Sequence, residues 1–335
     1  MIESVQFKNF KALRDATLPL DQFTLIVGPN GSGKTTALQA VNVAVNPVPP
    51  NFDQVISAGL DQKAVVETVI AFHQPYGGIN LRTVWRYGDR PLSQYVSATP
   101  ERNSVFVPEE LIKKLNRIRL YSLDAQSIAA FRPLHGGAEL MQNGADLVVV
   151  LDQLRDGNPE RFEALNEALG QWMPEFDRIL FETPAQGQRA FLLRTSRGKH
   201  SIPAASLSQG TLLALALLTL AYLPDPPSVV CLEEPDRGIH PRLLRDVQEA
   251  LYRLTYPENF GESREPVQVI ATTHSPYFLD LYRDHPEEVV IAEKTEQGTQ
   301  FKRLSDHPYL DDILRDSHLG EIWYTGILGG VPAHA

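Results

Sequence analysis

The pattern of apolar and polar positions in residues 1–45 predicts strands, then a turn, then a helix. Residues 5–10 alternate, which favours a half-buried strand, and the unbroken apolar run at residues 23–27 favours a strand buried on both faces. A glycine-rich turn comes next, and residues 34–45 have a helical pattern. The prolines of residues 46–53 end that helix because they lack the amide hydrogen that it needs. This part of the chain therefore predicts the start of an α/β fold.

The middle of the chain combines β-hairpins with helices. Two β-like runs within residues 64–87 are separated by a Tyr-Gly-Gly turn, and the runs at residues 178–183 and 189–195 are separated by a second glycine turn. Helical patterns cover residues 108–116, 145–156 and 159–172, and a short strand is predicted at residues 118–121. We therefore expect an antiparallel β layer and a helical insertion at residues 108–175.

Helix and strand signals alternate strictly after residue 205. The pattern predicts helices at residues 208–223 and 241–254, and strands at residues 229–232 and 267–272. Such alternation is typical of a parallel sheet with helical crossovers. We therefore expect one α/β domain over residues 1–335.

The glycine-rich turn has the sequence GPNGSGKT at residues 28–35, which matches the phosphate-loop pattern G-x-x-x-x-G-K-[ST]. A buried strand precedes this turn and a helix follows it, as phosphate binding requires. The glycines let backbone amides approach the phosphates, and the helix N-terminus adds its positive dipole end. We expect Lys34 to bind phosphate and the Thr35 hydroxyl to bind Mg²⁺. The predicted ATP-binding residues of this turn are Asn30, Gly31, Ser32, Gly33, Lys34, Thr35 and Thr36.

Two later strands end in residues suited to phosphate chemistry. The strand at residues 229–232 leads into Glu233 and Glu234; in such a pair one acid holds Mg²⁺ through water and the other polarises the attacking water. The strand at residues 267–272 leads to His274, at the strand end where ligands bind in open α/β sheets. We expect His274 to contact the γ-phosphate.

An S-x-G turn opens the apolar helix predicted from residue 208. The Ser208 hydroxyl, the Gly210 amide and the helix N-terminus can converge on one anion. An ordinary N-cap uses the same residues, so the turn alone leaves both interpretations open. A second phosphate-binding turn is useful if it completes the nucleotide site of a neighbouring chain.

The motifs GPNGSGKTT, LSQG, VVCLEEP and TTHSP, in this order, resemble the Walker A, signature, Walker B and switch-histidine motifs of ABC-type P-loop ATPases. FKNFKALRD near the N-terminus and EEPDRGIHPRLL resemble the SMC/RecF/OLD branch of that class in particular. The resemblance spans almost the whole chain. It implies an α/β P-loop NTPase core, ATP hydrolysis with ATP and Mg²⁺ as cofactors, and a homodimer or higher homo-oligomer. In that dimer, each ATP would lie between one chain's phosphate loop and the other chain's signature.

The resemblance also implies individual roles. The catalytic residues would be Lys34, Glu234 as the catalytic carboxylate, and His274 as the γ-phosphate sensor. The metal-binding residues would be Thr35, Glu233 and Gln126. The ATP-binding residues of the signature would be Ser208, Gln209 and Gly210. Residues 236–240 would form the loop that crosses the dimer. Glu233 departs from the aspartate usual at its position, and Gln126 is our candidate for the glutamine of the Q-loop.

Two functions within this branch remain open. Residues 36–206 contain no long heptad arms, which excludes an SMC-like tether, and the residues after His274 show no acidic nuclease cluster, so we expect no fused OLD-type nuclease. The hairpin layer and the Glu-Glu pair weaken the alternative of a transporter subunit. The chain most resembles stand-alone bacterial AAA-type ATPases of phage-defence and toxin–antitoxin systems. We expect either a regulatory or scaffold ATPase that controls a separate effector protein, or a RecF-like DNA-repair ATPase that clamps DNA.

The net charge and the aromatic C-terminal tail favour the first of these functions. The formal net charge of −10 argues against a generally basic surface that coats nucleic acid. Cys231 is the single cysteine, which excludes an intramolecular disulfide and favours a cytoplasmic protein. The most apolar stretch, at residues 211–223, is shorter than the roughly 20 residues of a membrane span, so we expect no membrane partner.

The C-terminal tail at residues 319–332 (LGEIWYTGILGGVP) combines aromatic residues with glycines that make a long helix costly. Trp323, Tyr324, Ile327 and Leu328 either form a docking surface for a partner or pack back on the parent domain. If the tail docks a partner, we expect it to contribute little to the nucleotide site.

Overall fold

The computed structural model describes residues 1–45, 50–98, 105–296, 298–310, 314 and 318–326. The chain divides into two compact units. The first unit comprises Met1–Leu120, Pro227–Glu233 and Val267–Ala335, and the second comprises Tyr121–Pro226 and Glu234–Pro266. The single-domain organisation over residues 1–335 and the helical insertion at residues 108–175 stay predictions.

Strands and helices alternate through the described residues. The strands are β1 (Ile2–Phe10), β2 (Leu13–Pro19), β3 (Phe23–Val27), β4 (Val66–Phe72), β5 (Ile79–Trp85), β6 (Leu92–Ser97), β7 (Ile118–Tyr121), β8 (Arg132–Pro133), β9 (Phe176–Glu182), β10 (Gln188–Thr195), β11 (Ser201–Pro203), β12 (Val229–Glu233), β13 (Gln268–Thr273), β14 (Val289–Thr295) and β15 (Gly298–Arg303). The helices are α1 (Lys34–Ala44), α2 (Phe52–Val55), α3 (Glu109–Asn116), α4 (Ala125–Ala129), α5 (Leu147–Gly157), α6 (Pro159–Trp172), α7 (Gln209–Tyr222), α8 (Leu244–Thr255), α9 (Pro276–Leu279) and α10 (Leu319–Tyr324). The elements expected from the pattern are present within a few residues of their predicted bounds. The elements that were not predicted are β2, β6, β8, β11, β14, β15, α2, α4, α9 and α10.

The antiparallel β layer lies in the first unit. Its strand order is β2-β1-β4-β5-β6. Buried and half-exposed residues alternate along β4, as expected for a sheet that buries one face. Phe7, Ile70 and Trp85 of this layer belong to the same apolar core as Ile26 of β3. The predicted combination of a P-loop-type α/β fold with an antiparallel layer is therefore confirmed.

The second sheet of the first unit has the order β15-β14-β3-β13-β12-β7. The pairs of β3 with β13 and β14, and of β12 with β13, are parallel. Every residue of β3 and β13 is buried, which agrees with the apolar run of β3 and with the apolar centre of β13. Thr273 lies opposite Val27, and Glu233 lies opposite Thr272. The carboxyl ends of β3, β13 and β12 therefore lie side by side.

The second unit is built from an antiparallel sheet and helices. Strands β11, β10 and β8 are consecutive in this sheet, and β9 also pairs with β10. Helix α7 is buried at nearly every position, because it packs against α4, α6 and α8. Its apolar sequence thus reflects a helix enclosed by protein. Among the described residues, no helix is both long enough and apolar enough to cross a bilayer.

Candidate functional site

The phosphate loop joins the carboxyl end of β3 to the N-terminus of α1. Gly31 and Gly33 have φ of +77° and +91°, a region that residues with a side chain rarely adopt. A β-carbon on Gly33 would lie 2.8 Å from the Thr299 hydroxyl and 3.0 Å from a methyl of Leu13. Space around Gly31 is open, with no atom within 4 Å of a β-carbon placed there. The loop thus needs glycine for its conformation and is accessible at its tip.

The Lys34 side chain lies inside this loop. Its side chain is buried, and Nζ donates to the carbonyl oxygens of Gly28 at 2.6 Å and Pro29 at 3.0 Å. The hydroxyl of Ser32 is also buried and has no hydrogen-bond partner among the described residues. A buried cation beside an unsatisfied hydroxyl fits a bound phosphate oxygen.

Strands β14 and β15 form a wall behind the phosphate loop that the sequence analysis did not identify. A β-carbon on Gly28 would lie 2.5 Å from the Ala292 carbonyl oxygen of β14, and Thr299 of β15 contacts Gly33. The apolar start of β14, Val-Val-Ile-Ala, is the signal that could have revealed this wall. The shape of the loop therefore depends on residues more than 250 positions later in the chain.

The two acids of the Glu-Glu pair differ in backbone conformation. Glu233 is the last residue of β12, and its Oε1 is buried without a hydrogen-bond partner among the described residues. Glu234 has φ of +45°, so the strand ends between the two acids and the alternation assumed from the sequence does not continue. Positive φ is uncommon in residues with a side chain and concentrates at functional sites.

Glu233 and Thr35 carry oxygen atoms of the kind that bind Mg²⁺ or its water ligands. The buried, unsatisfied carboxylate oxygen of Glu233 suits a metal-bound water, and Thr35 at the start of α1 is exposed. No group of three or more His, Cys, Asp or Glu in the described residues could hold a metal by itself.

His274 lies immediately beyond β13, next to the phosphate loop in the strand register. The residue before it, Thr273, pairs with Val27, which directly precedes Gly28. His274 is exposed, and the turn that follows it is fixed because the Ser275 amide donates to the Thr273 hydroxyl at 3.0 Å. The structure thus brings the phosphate loop, Glu233 and His274 to one edge of the sheet in the first unit.

The signature turn belongs to the second unit. Ser208 is the N-cap of α7, and its hydroxyl accepts a hydrogen bond from the Thr211 amide at 3.1 Å. Ser208, Gln209 and Gly210 border an open cavity of about 550 Å³ whose lining also includes Trp172 and Arg242. Ser208 is therefore both an N-cap and part of a cleft wide enough for a phosphate group.

Gln126 lies in the first turn of α4 and is exposed. This turn is capped by Asp124, whose carboxylate accepts from the Ser127 amide at 2.8 Å. Hydrogen bonds from the Ser127 side chain and from its amide lower the pKa of Asp124. Gln126, Glu234 and the signature residues lie in the second unit. Their predicted roles stay predictions, as do those of the site residues in the first unit.

The C-terminal tail packs on the first unit as far as it is described. Leu319, Ile322 and Trp323 are buried, whereas Tyr324 is 74% exposed. Burial corrects the docking interpretation for Trp323, which is a core residue. The predicted anchors Ile327 and Leu328 lie outside the described residues.

Comparison with known families identifies two matching regions. The family described as "AAA domain, putative AbiEii toxin, Type IV TA system" matches residues 95–280, which is more than half of the chain. The family described as "AAA ATPase domain" matches residues 1–81.

One curated protein and two solved structures are also similar to this chain. The OLD nuclease of Thermus scotoductus (strain ATCC 700910 / SA-01) is 25% identical over 368 residues, covering 96% of this chain and 68% of that protein. Among solved structures, an SMC head bound to the C-winged helix domain of ScpA has a TM-score of 0.62 at 16% identity, covering 90% of this chain and 96% of that chain. The SMC head domain from Thermotoga maritima has a TM-score of 0.51 at 16% identity, covering 90% and 98%. The two structures share the fold of this chain.

Proposed function

The chain belongs to this AAA-domain family and is an ABC-type P-loop ATPase of the SMC/RecF/OLD branch, and from that premise we propose a regulatory function for it. In this proposal, two copies close around ATP, and the closed state controls a separate effector protein in the cytoplasm. The observation that carries the proposal is the shared edge of β3, β12 and β13, where the phosphate loop, Glu233 and His274 meet. The effector is proposed to act in bacterial anti-phage defence, a role supported by the toxin–antitoxin description of the matching family.

Each residue at this edge, and Glu234 immediately beyond it in sequence, has a separate task in the proposed reaction. The loop amides and Lys34 bind the β- and γ-phosphates, and Thr35 and Glu233 position the metal. A bound Mg²⁺ would supply positive charge opposite the negative charge that develops on the phosphoryl group. Glu234 accepts a proton from the attacking water, and His274 contacts the γ-phosphate.

The dimer follows from the second phosphate-binding turn. Ser208 and Gly210 open a helix toward a cavity, which is the arrangement needed to bind the γ-phosphate of an ATP held by another copy. A head-to-tail pair with two-fold symmetry uses both turns twice, so each copy supplies half of each site. ATP binding then assembles the pair, and hydrolysis releases it.

Effector control is tested by comparing two trapped states. The Glu234→Gln variant is expected to remain in the closed, ATP-bound dimer. The Lys34→Ala variant is expected to remain in the open state without ATP. We expect a partner protein, expressed from the neighbouring gene, to bind one of the two variants at least about tenfold more tightly, since an effector is controlled only by differential affinity for the two states. Equal affinity for both variants would contradict effector control.

The alternative of a RecF-like DNA clamp has one observation in its favour. Residues 183–224 contain no acidic residue, although the chain as a whole is acidic. In this stretch, Arg197, Lys199 and His200 are exposed at the turn between β10 and β11. A basic turn of this kind suits contact with nucleic-acid phosphates. ATPase stimulation by duplex DNA, with binding that weakens steeply as salt rises, would favour the clamp over the effector switch.

A further inference from the structure

The short helix α10 of the C-terminal tail packs against α9, the helix that follows His274. The contact is closest at Gly320, which is buried. A β-carbon on Gly320 would lie 2.7 Å from the carbonyl carbon and 2.9 Å from the α-carbon of Pro276. Both atoms are backbone atoms, so no side chain could rotate away to make room. Only glycine fits this position without moving the turn that carries Pro276.

A hydrogen bond fixes the same contact from the other side. The Gly320 amide donates to the Asp280 carboxylate at 2.7 Å, and Asp280 directly follows α9. Pro276 is two residues beyond His274 and is the first residue of α9. The Ser275 amide is bound to Thr273 of β13. The turn at residues 274–276 is thus held by the sheet on one side and by the C-terminal helix on the other.

We propose that Gly320 and Asp280 are positioning residues that set the orientation of His274 toward the γ-phosphate. This inference rests on the role given to His274 in the proposed function. The backbone of residues 274–276 sets the position of the His274 α-carbon, and with it the region that the imidazole ring can reach. The C-terminal tail thereby influences catalysis without touching the nucleotide.

The first test introduces a methyl group at the contact. Gly320→Ala is expected to lower kcat by about tenfold or more, because small displacements of a catalytic group have large kinetic effects. The affinity for ATP, measured with a fluorescent analogue, is expected to stay unchanged, because the phosphate loop is intact. Gly157→Ala is the matched control, since a β-carbon there meets nothing within 4 Å. A kcat for Gly320→Ala equal to that of the control would overturn the proposal.

The second test removes the hydrogen bond without adding bulk. Asp280→Ala is expected to lower kcat as Gly320→Ala does, and Asp280→Asn is expected to restore it, because the amide oxygen still accepts from Gly320. The two Asp280 variants test the same contact even if the Gly320→Ala variant fails to fold. Equal loss of kcat in both Asp280 variants would contradict a role based on this hydrogen bond.

A double-mutant cycle separates this inference from the proposed function. If Gly320 acts through His274, adding Gly320→Ala to His274→Ala causes no further loss of kcat. The same fold-loss in both backgrounds would overturn the inference and leave the role of His274 intact. Wild-type kcat in His274→Ala alone would instead refute the role of His274, and with it the proposed positioning.

Discussion

The carbonyl oxygen of Gly238 lies 2.6 Å from the position that a β-carbon on Gly210 would occupy. The signature turn and the loop at residues 236–240 therefore meet backbone to backbone. Gly238 itself has φ of +72°, and the Gln209 side chain packs over it. A displacement of one segment is expected to move the other, because Gly210 and Gly238 meet through backbone atoms and neither has a side chain that could rotate aside.

Gly210→Ala should consequently separate ATP binding from ATP hydrolysis. The added methyl group pushes the signature turn away from the loop that follows the Glu-Glu pair, so we expect ATPase activity to fall by about tenfold or more. ATP binding, which depends on the phosphate loop, should change little. Steady-state turnover and equilibrium nucleotide binding, with Gly136→Ala as the open-space control, test this. Unchanged turnover would show that the Gly210–Gly238 contact is irrelevant to the reaction.

Lys34→Ala should remove nucleotide affinity and ATPase activity together. Lys34 is the buried cation of the phosphate loop, and charge-assisted hydrogen bonds to phosphate are among the strongest that a protein makes. We expect ATP affinity to fall by at least about tenfold, with Lys63→Ala, an exposed lysine, behaving as wild type. Calorimetric titration with ATP and Mg²⁺ measures the loss. Wild-type affinity in Lys34→Ala would reject the phosphate loop as the nucleotide site.

Glu234→Gln should bind ATP but hydrolyse it roughly a hundredfold more slowly. The amide keeps the size of the side chain but cannot take a proton from water, and general-base catalysis commonly contributes 10²- to 10⁴-fold, roughly. Gel filtration with ATP and Mg²⁺ is expected to show a persistent dimer. If Glu233→Gln is the more damaging change, the roles of the two acids are reversed.

Cys231 should report on the opening of the nucleotide-binding sheet. It is fully buried in β12, and burial raises the pKa of its thiol to about 12. The thiolate is the reactive form, so a thiol reagent should modify Cys231 only when the sheet opens. ATP should slow the modification because it stabilises the folded state. Rapid labelling of the folded protein, at the rate seen in denaturant, would contradict the burial of this strand.

The sequence predicted the parts of this fold whose signals are local. The FTLIV run, the glycine turn and α1 were assigned correctly, because strand burial and turn chemistry are visible within a few residues. The positions of β14 and β15 behind Gly28 and Gly33 were not predicted, because that contact joins residues far apart in sequence. Gly320 was missed for the same reason. Its structural importance lies in its close contact with the backbone of Pro276.

Mixing two inactive variants tests the central claim most directly, namely that each ATP lies between the phosphate loop of one copy and the signature turn of another. Lys34→Ala disables one half of such a site, and Ser208→Arg, which adds bulk and charge at the start of α7, disables the other. Each variant alone should be inactive. In an equimolar mixture, half of the dimers are mixed and each has one intact site, so about a quarter of wild-type ATPase activity should return. A mixture as inactive as its two components would contradict the shared site.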